Sequence, residues 1–231
     1  MQDDSTALEL EKMREDWDQR ARENARYYVA SGKEQWSDEE YFRSGEINVQ
    51  QEILTDLENV CQGKDPKQMR VLEIGCGTGR ITRALAKLFG QVYAVDISGE
   101  MVRQARLALR ECPNAFVFQN NGRDLAVVRE AAGDAPIDFA FSYIVFQHIP
   151  SRDVIENYVS EVRMLLRDGA LFKFQVQGFI DDDEPRDSWL GAAFTEQQAR
   201  EMAERCGFEM RYQRGLGEQY YWLWFFKKTA D

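Results

Sequence analysis

The chain has 231 residues, a formal net charge of −11 at pH 7 and 44% hydrophobic residues. This length suits one α/β domain with a sizeable core, or one domain with a small appendage. The acidic balance argues against a general nucleic-acid surface, because such a surface needs clustered Lys and Arg.

Residues 1–48 are predicted to form an N-terminal helical cap. Residues 5–30 are rich in helix formers and charge, which indicates an amphipathic helix that covers one edge of the core. Ser31-Gly32 interrupts this pattern, and an aromatic stretch without clear periodicity follows up to Gly45. We interpret the aromatic residues of this region as candidate walls of a substrate pocket: Tyr27, Tyr28, Trp36, Tyr41 and Phe42.

The main domain is expected to span residues 49–231 and to begin with a helix. The apolar residues of this helix recur at helical spacing and would form its core face; they are Val49, Ile53, Leu57 and Val60. A polar turn with Pro66 follows, and it leads into an apolar β-type run that ends at Ile74. The sequence therefore predicts a buried first strand after the cap.

Three glycines, each separated by one residue, follow this strand in the segment Gly75-Cys76-Gly77-Thr78-Gly79. A helical pattern starts immediately afterwards, and Gly90 would end that helix as a C-cap glycine. A strand, a glycine loop and a helix in this order let the backbone approach a ligand at a helix N-terminus. The loop is therefore a candidate cofactor site.

Two residues next to the loop indicate which cofactor it would hold. The dinucleotide fingerprint Gly-x-Gly-x-x-Gly requires a glycine where Arg80 stands, so that fingerprint is not met. Glu73 lies two residues before the first glycine, where a carboxylate would repel a pyrophosphate but suit a ligand with an ammonium and a sulfonium. S-adenosylmethionine (SAM) has both, which makes a nicotinamide oxidoreductase the weaker alternative.

A second predicted strand ends at Asp96, at about the distance from the loop at which a carboxylate binds ribose hydroxyls in such folds. E-I-G-C-G-T-G followed by V-Y-A-V-D-I-S resembles the first two motifs of the class I SAM-dependent methyltransferases. The resemblance implies a doubly wound, mostly parallel seven-stranded sheet of the Rossmann-like methyltransferase type. It also implies SAM as methyl donor, S-adenosylhomocysteine (SAH) as product, and a lid role for the cap, whose alternative is static packing.

The resemblance further implies a set of cofactor contacts. Glu73 would lie near the cationic methionine end, Asp96 would bind the ribose diol, and the glycine loop, with Gly75, Cys76, Gly77 and Gly79, would pass beneath the ligand. Asn121 stands where the family usually has an acid that accepts from the adenine amino group, and Gly122 would turn its N–H toward the ring. Other proposed contacts are Ile97 and Met101 at the adenine and Ser142 and Tyr143 at the methyl donor. The alternative for residues 121–124 is a plain turn capped by Asp124.

The rest of the chain is predicted to alternate helices and strands. Ser98 would cap a helix that extends to Glu111, and Ser151 and the capping box of Thr195 with Gln198 would start two later helices. The remaining strands are expected at 116–118, 137–145, 171–176, 208–213 and 219–227, the last two forming a hairpin that resembles the family's antiparallel edge.

An acidic insertion at residues 178–191 adds Phe179 and Trp189 as candidate pocket residues. His148, the single histidine, follows strand four, where its ordinary pKa would suit a general base. Its alternative role is structural, with the ring bonded to backbone at the junction to the next helix. The structural role is the one we expect.

The overall prediction is a SAM-dependent methyltransferase acting on a small molecule. The alternative is a SAM-binding protein that acts on a protein partner or has no catalytic activity. Four dispersed cysteines and a single histidine argue against a protein metal centre, and no metal is expected. The acidic N-terminal sequence and the lack of long apolar runs predict a cytoplasmic protein without a membrane partner.

Overall fold

The computed structural model describes residues 2–179 and 188–229. Its contacts divide the chain into two compact units, Met1–Asn121 and Gly122–Asp231. Each unit combines strands with helices, so both have the α/β character that the sequence predicts.

The first unit is built on three parallel strands, with β1 beside β2 and β2 beside β3. Almost every residue of β1 and β2 is buried, as in strands covered by helices on both faces. The strands are β1 (Arg70–Ile74), β2 (Gln91–Asp96) and β3 (Ala115–Gln119), and the helices are α1 (Gln2–Val29), α2 (Asp38–Glu52), α3 (Leu57–Cys61), α4 (Arg80–Leu88) and α5 (Gly99–Ala108).

Helix α1 is interrupted at Asn24, whose backbone is not helical (φ −163°, ψ 79°). The side-chain Oδ1 of Asn24 accepts a hydrogen bond from the N–H of Tyr27 (3.2 Å), as the cap of a new helix does. Its Nδ2 donates to the carbonyl of Glu34 (3.0 Å). Helix α1 therefore consists of one long segment and a separate last turn that ends at Val29.

The second unit pairs β4 with β5 in parallel and sets β7 antiparallel to both β5 and β6. Its strands are β4 (Ile137–Ser142), β5 (Leu166–Val176), β6 (Phe208–Arg214) and β7 (Tyr221–Lys227), and its helices are α6 (Ala126–Ala132), α7 (Arg152–Leu165) and α8 (Glu196–Arg205). Buried rings in mutual contact fill its core: Phe146, Tyr158, Phe172, Phe174 and Phe225.

The seven strands have the order β3-β2-β1-β4-β5-β7-β6. Chain order runs outward in one direction from β1 to β3 and in the other from β4 to β5, which is the pattern of a doubly wound sheet. The predicted fold class, including the antiparallel hairpin at the edge, is confirmed.

The predicted helix before the first strand is wrong in its bounds. Helix α2 already begins at Asp38, because Ser37 and Glu40 form a capping box, so the aromatic stretch lies largely inside a helix. The helix ends at Glu52 and is followed by a 3₁₀ turn at Leu54–Asp56 and the short α3. Leu57, expected in the core, is 36% exposed.

Two further details differ from the sequence prediction for physical reasons. The C-cap of α4 is Phe89, not Gly90. Glycine is needed at position 90 for another reason, because a Cβ there would lie 2.2 Å from the carbonyl oxygen of Lys67. Strand β4 ends at Ser142, not at Val145, because Ile144 has a positive φ of 55° that an extended strand does not contain. Helix α6 has no counterpart among the predicted elements.

Helix α2 passes through residues 48 and 49, so the expected boundary between cap and main domain would cut this helix. Most of the acidic insertion, residues 180–187, lies outside the described residues. Within residues 2–179 and 188–229, every helix is too short or too polar to cross a membrane.

Candidate functional site

The glycine loop, residues 75–79, joins β1 to α4. Gly75, Gly77 and Gly79 have φ values of 72°, 52° and 83°, a conformation that glycine adopts without steric cost. A Cβ on Gly77 would lie 2.7 Å from Cγ2 of Val29, and one on Gly79 would lie 2.9 Å from Cδ1 of Leu109. Glycine is therefore needed for backbone conformation at all three positions and for close packing at the last two.

Glu73 is a buried acid at the end of β1. Its Oε2 accepts a hydrogen bond from the Thr82 hydroxyl on α4 (2.6 Å). Burial raises the pKa of Glu73 to about 7, although the Thr82 hydrogen bond and the Arg80 charge act in the opposite direction. Near neutral pH this carboxyl therefore takes up or releases a proton readily, and a nearby cation would favour its charged form.

Asp96 closes β2 and turns both carboxylate oxygens onto backbone donors. Oδ2 accepts from the N–H of Gly77 (2.8 Å), and Oδ1 accepts from the N–H of Ser98 (2.9 Å). Burial raises the pKa of Asp96 to about 6, against the effect of these hydrogen bonds. The structure thus brings Asp96 into direct contact with the glycine loop, as the sequence predicts for a shared site.

The other cofactor residues predicted in the first unit have different surroundings. Cys76 is buried, and burial raises the pKa of its thiol, which argues against a reactive thiolate. Ile97 is half-buried, whereas Met101 packs against Ala21 and Ala25 of α1. Their contacts to an adenine ring stay predictions.

Asn121 is exposed at the end of the first unit, while the adjacent Asn120 is buried. The N–H of Asn120 donates to the carbonyl of Asp96 (3.0 Å), which fixes it beside the candidate site. Asn120 is thus a second candidate for the adenine contact. Its sequence signal is that it comes directly after the last residue of β3, Gln119.

Helix α2 holds the glycine loop and the start of α4 through contacts that the sequence analysis did not predict. The buried Tyr41 hydroxyl lies 2.6 Å from Oγ1 of Thr78. Nη1 of Arg80 donates to Ser44 Oγ (3.1 Å) and to Asn48 Oδ1 (2.6 Å). A Cβ on Gly45 would lie 2.3 Å from the Arg80 carbonyl oxygen, so glycine permits backbone contact here.

The predicted pocket aromatics of the cap form one edge-to-face series and one separate pair. Tyr41 contacts both Trp36 (5.9 Å between ring centroids) and Phe42 (5.4 Å), and Tyr27 contacts Tyr28 (5.3 Å). With only 1% of its surface exposed, Tyr41 serves as a clamp on the loop. Contacts of the other four with a substrate stay predictions.

In the second unit, the segment after β4 is strained. Ile144 is β-branched and has a φ of 55°, and its N–H donates to Oε1 of the buried Gln175 (2.7 Å). Ser142 is buried and Tyr143 stacks on Phe141. The cofactor contacts expected of Ser142, Tyr143 and Gly122 stay predictions, and Ile144 and Gln175 are additions that propensity alone would not indicate.

His148 is held at the junction after β4 by a contact at each ring nitrogen. Nδ1 lies 2.7 Å from the carbonyl oxygen of Trp189, which can only accept, so Nδ1 carries the proton. Nε2 lies 3.5 Å from the side-chain nitrogen of Gln147, and the ring packs on Trp189. Trp189 and Phe179, both predicted pocket residues, are 44% and 52% exposed.

We expect His148→Gln to lower stability by about 1 kcal/mol, because the hydrogen bond to the Trp189 carbonyl is lost. His148→Asn is the matched control, since its amide nitrogen can take the place of Nδ1. Thermal unfolding and turnover of both variants should be compared with those of the unchanged protein. A fall in kcat of roughly 10²–10⁴ in both variants, with stability retained, would establish a general base instead.

Comparisons with known proteins also indicate a methyltransferase domain. The model of a family described as a methyltransferase domain matches residues 71–169. The ubiquinone biosynthesis O-methyltransferase of Xanthomonas axonopodis pv. citri is 43% identical over 100 residues, which make up 43% of this chain and 40% of the relative. The malonyl-(acyl-carrier protein) O-methyltransferase of Halalkalibacterium halodurans is 32% identical over 125 residues, or 53% of this chain and 44% of the relative. The chain thus spans less than half the length of these relatives.

Among solved structures, the magnesium protoporphyrin IX methyltransferase of Synechocystis PCC 6803 with bound SAM has a TM-score of 0.67 and 16% sequence identity. The match covers 95% of this chain and 97% of that chain. At this identity the likeness concerns the fold. Together with the family model, it confirms the resemblance that the sequence motifs carry.

Proposed function

We propose, from a chain whose residues 71–169 match the model of a methyltransferase domain, that the protein transfers the methyl group of SAM to a small organic molecule. The single observation that supports this most directly is Asp96. Its buried carboxylate contacts the glycine loop through the N–H of Gly77, as a ribose-binding acid beside a cofactor loop requires.

The residues of the first unit fit SAM, the methyl donor, in charge as well as in geometry. Both oxygens of Asp96 accept backbone N–H groups, and a carboxylate has enough lone pairs to accept from ribose hydroxyls as well. Glu73 and Asp96 are two buried acids with raised pKa values, an arrangement that a cationic ligand stabilises and a pyrophosphate does not. This argues for SAM and against the nicotinamide alternative.

Bound SAM would supply an electrophilic methyl group on its sulfonium. For such a displacement the protein chiefly provides proximity and orientation, which do not require a strong base. The contacts of His148 fit that expectation, because Nδ1 donates to a backbone carbonyl and Nε2 lies 3.5 Å from the side-chain nitrogen of Gln147, which can donate to it. Our proposal therefore assigns positioning to Asp96 and Glu73 and no proton transfer to His148.

The acceptor is proposed to be a small molecule, with oxygen as the first acceptor atom to test. Two relatives that match this chain are named O-methyltransferases, and the net charge of −11 disfavours nucleic acid.

A reducing compartment such as the cytoplasm is proposed as the location of the protein. It suits the cysteines, all of which are free thiols: Cys61, Cys76, Cys112 and Cys206.

Mass spectrometry of ligand that copurifies with the protein tests the proposal first. We expect SAM or SAH, and the Asp96→Ala variant should copurify with neither. A metabolite screen with a methyl-labelled donor should then transfer label to a small molecule. Binding of SAH without any transfer would favour the non-catalytic alternative, and absence of binding by calorimetry would refute the proposal.

We also propose that the cap, residues 1–48, includes a closing element, with residues 25–37 as its moving part. The break at Asn24 separates this part from the long segment of α1, and Val29 lies directly over Gly77. Helix α2 is held more firmly, because Gly45 brings it into backbone contact with Arg80. The lid that the sequence suggested would thus be shorter than the whole cap.

Trypsin digestion distinguishes such a lid from static packing. With SAH added, cleavage after Arg26 and Lys33 should slow several-fold, because binding beneath Val29 would hold the element closed. Lys64, exposed in the turn after α3, is the internal control, and its cleavage should not change. Equal protection at all three sites would indicate general stabilisation by the ligand. Equal cleavage rates with and without SAH would mean that residues 25–37 are static packing and not a lid.

A further inference from the structure

Ser98 connects two buried carboxylates that are distant in sequence. Its N–H donates to Oδ1 of Asp96 (2.9 Å), and its hydroxyl donates to Oδ1 of Asp18 on α1 (2.6 Å). The same hydroxyl accepts from the N–H of Met101 (3.0 Å), as an N-cap of α5 does. With no exposed surface, Ser98 has its position fixed by these three contacts.

Asp18 acts as a second cap on α5 from a separate helix. Besides the Ser98 hydroxyl, its Oδ1 accepts from the N–H of Glu100 (3.1 Å). Its Oδ2 lies 3.8 Å from guanidinium nitrogens of both Arg14 and Arg22. Only 8% of Asp18 is exposed, which is uncommon for an acid and indicates a specific role at this contact.

The contacts form a continuous path from the cap to the glycine loop. Asp18 holds Ser98, the backbone of Ser98 holds Asp96, and Asp96 accepts from the N–H of Gly77. Asp96 has two acceptor oxygens to orient toward a ribose, and its rotation would break either the Gly77 or the Ser98 contact. Docking of α1 therefore determines how firmly this acid is oriented.

We propose that Asp18 is a positioning residue for the cofactor site, which it serves by fixing Ser98 and thereby the orientation of the Asp96 carboxylate. This inference rests on the proposed function, since it assumes that Asp96 binds the ribose of SAM. It assigns to α1 a part in cofactor affinity through its long segment. That part is separate from any closure by residues 25–37.

The charge of Asp18 has a second effect that can be measured separately. Asp18 adds to the rise in the pKa of Asp96 that burial causes. The other titratable groups that interact with Asp96 are Glu73 from β1 and Cys76 from the loop, and Arg14 and Arg22 face Asp18 itself. Removing the charge of Asp18 should lower the pKa of Asp96. SAH binding should weaken when Asp96 is protonated, and we call the pH at which this happens the acidic limit of binding; it should move to lower pH.

Calorimetric titration of SAH against pH tests the proposal with two substitutions at one position. Asp18→Ala removes both the acceptor oxygens and the charge, and it should weaken binding by about tenfold near neutral pH. Asp18→Asn keeps a carbonyl oxygen for Ser98 and Glu100 but removes the charge. It should weaken binding less than threefold, fold normally and shift the acidic limit to lower pH.

Glu15→Gln is the control, because it removes the same charge from the exposed face of α1 and should change neither quantity. If both Asp18 variants bind SAH like the unchanged protein at every pH, the inference is refuted while the proposed function stands. Equal weakening in both variants with a fixed acidic limit would also refute it, because Asp18 would then act only through helix packing. Failure of the unchanged protein to bind SAH would instead refute the proposed function.

Discussion

Asp96→Ala is expected to weaken SAH binding by about 1.5–3 kcal/mol, or roughly 10- to 150-fold, as for lost hydrogen bonds to a charged group. The substitution removes both oxygens proposed to accept from the ribose hydroxyls. It also leaves the N–H groups of Gly77 and Ser98 without the acceptor they have in the structure. Titration calorimetry of the folded variant at pH 8, where Asp96 is charged in the unchanged protein, measures the effect.

Asp96→Asn refines the test, because it keeps one oxygen and replaces the other by an NH₂ group. One ribose hydroxyl can still be bound, so the loss of affinity should be smaller than for alanine. The NH₂ group would, however, face the N–H of Gly77 or of Ser98, and stability should fall as well. Unchanged affinity in both variants would remove Asp96 from the ribose site.

Glu73→Gln is expected to make the ligand-free protein more stable at pH 8, by on the order of 3 kcal/mol. The pKa of Glu73 is raised from 4.5 to about 7 in the fold, so the folded state binds more protons than the unfolded state between these values. The stability contributed by this group therefore falls as pH rises from 4.5 to 7. Glutamine avoids that loss and can still accept from Thr82.

Urea unfolding of both proteins at pH 5 and pH 8 measures this difference. The advantage of the glutamine variant should be largest at pH 8 and close to zero at pH 4.5, below the folded-state pKa. Glu130→Gln, at an exposed position, is the control and should show no such trend. A stability difference that does not depend on pH would mean that Glu73 has an ordinary pKa.

The same substitution should weaken SAM binding while it stabilises the fold, which is a trade-off common at functional sites. SAM should lose more affinity than methylthioadenosine, because only SAM carries the cationic amino-acid end that Glu73 is proposed to face. Equal losses for the two ligands would make Glu73 a structural acid that serves only Thr82.

Features carried by short sequence patterns were predictable in this protein. The glycine loop, the acid at the end of β2 and the capping box at Thr195 all depend on residues within a few positions of one another. The capping box of Ser37 with Glu40 has the same signal, but the surrounding aromatic residues obscured the helical period. The start of α2 was therefore predictable in principle, and the aromatic stretch was the reason it was missed.

Contacts between distant parts of the chain were not predictable in the same way. Asp18 and Ser98 are 80 positions apart, and Tyr41 and Thr78 are 37 apart, so no local pattern relates them. Ile144 has the side chain of a strand former, and only the surrounding structure holds it at a positive φ. The sequence therefore predicted the glycine loop and the acid that contacts it, but not the distant residues that hold them in position.

The contact of Gly45 with Arg80 has a consequence for local unfolding. With the Gly45 backbone against the Arg80 carbonyl and the Tyr41 hydroxyl on Thr78, the loop and the first turn of α4 cannot open while α2 stays in its position. Residues 38–52 and 75–83 should therefore exchange their amide hydrogens as one cooperative unit with a common opening free energy. A ligand bound to the glycine loop would then slow exchange throughout α2, even where it does not touch that helix.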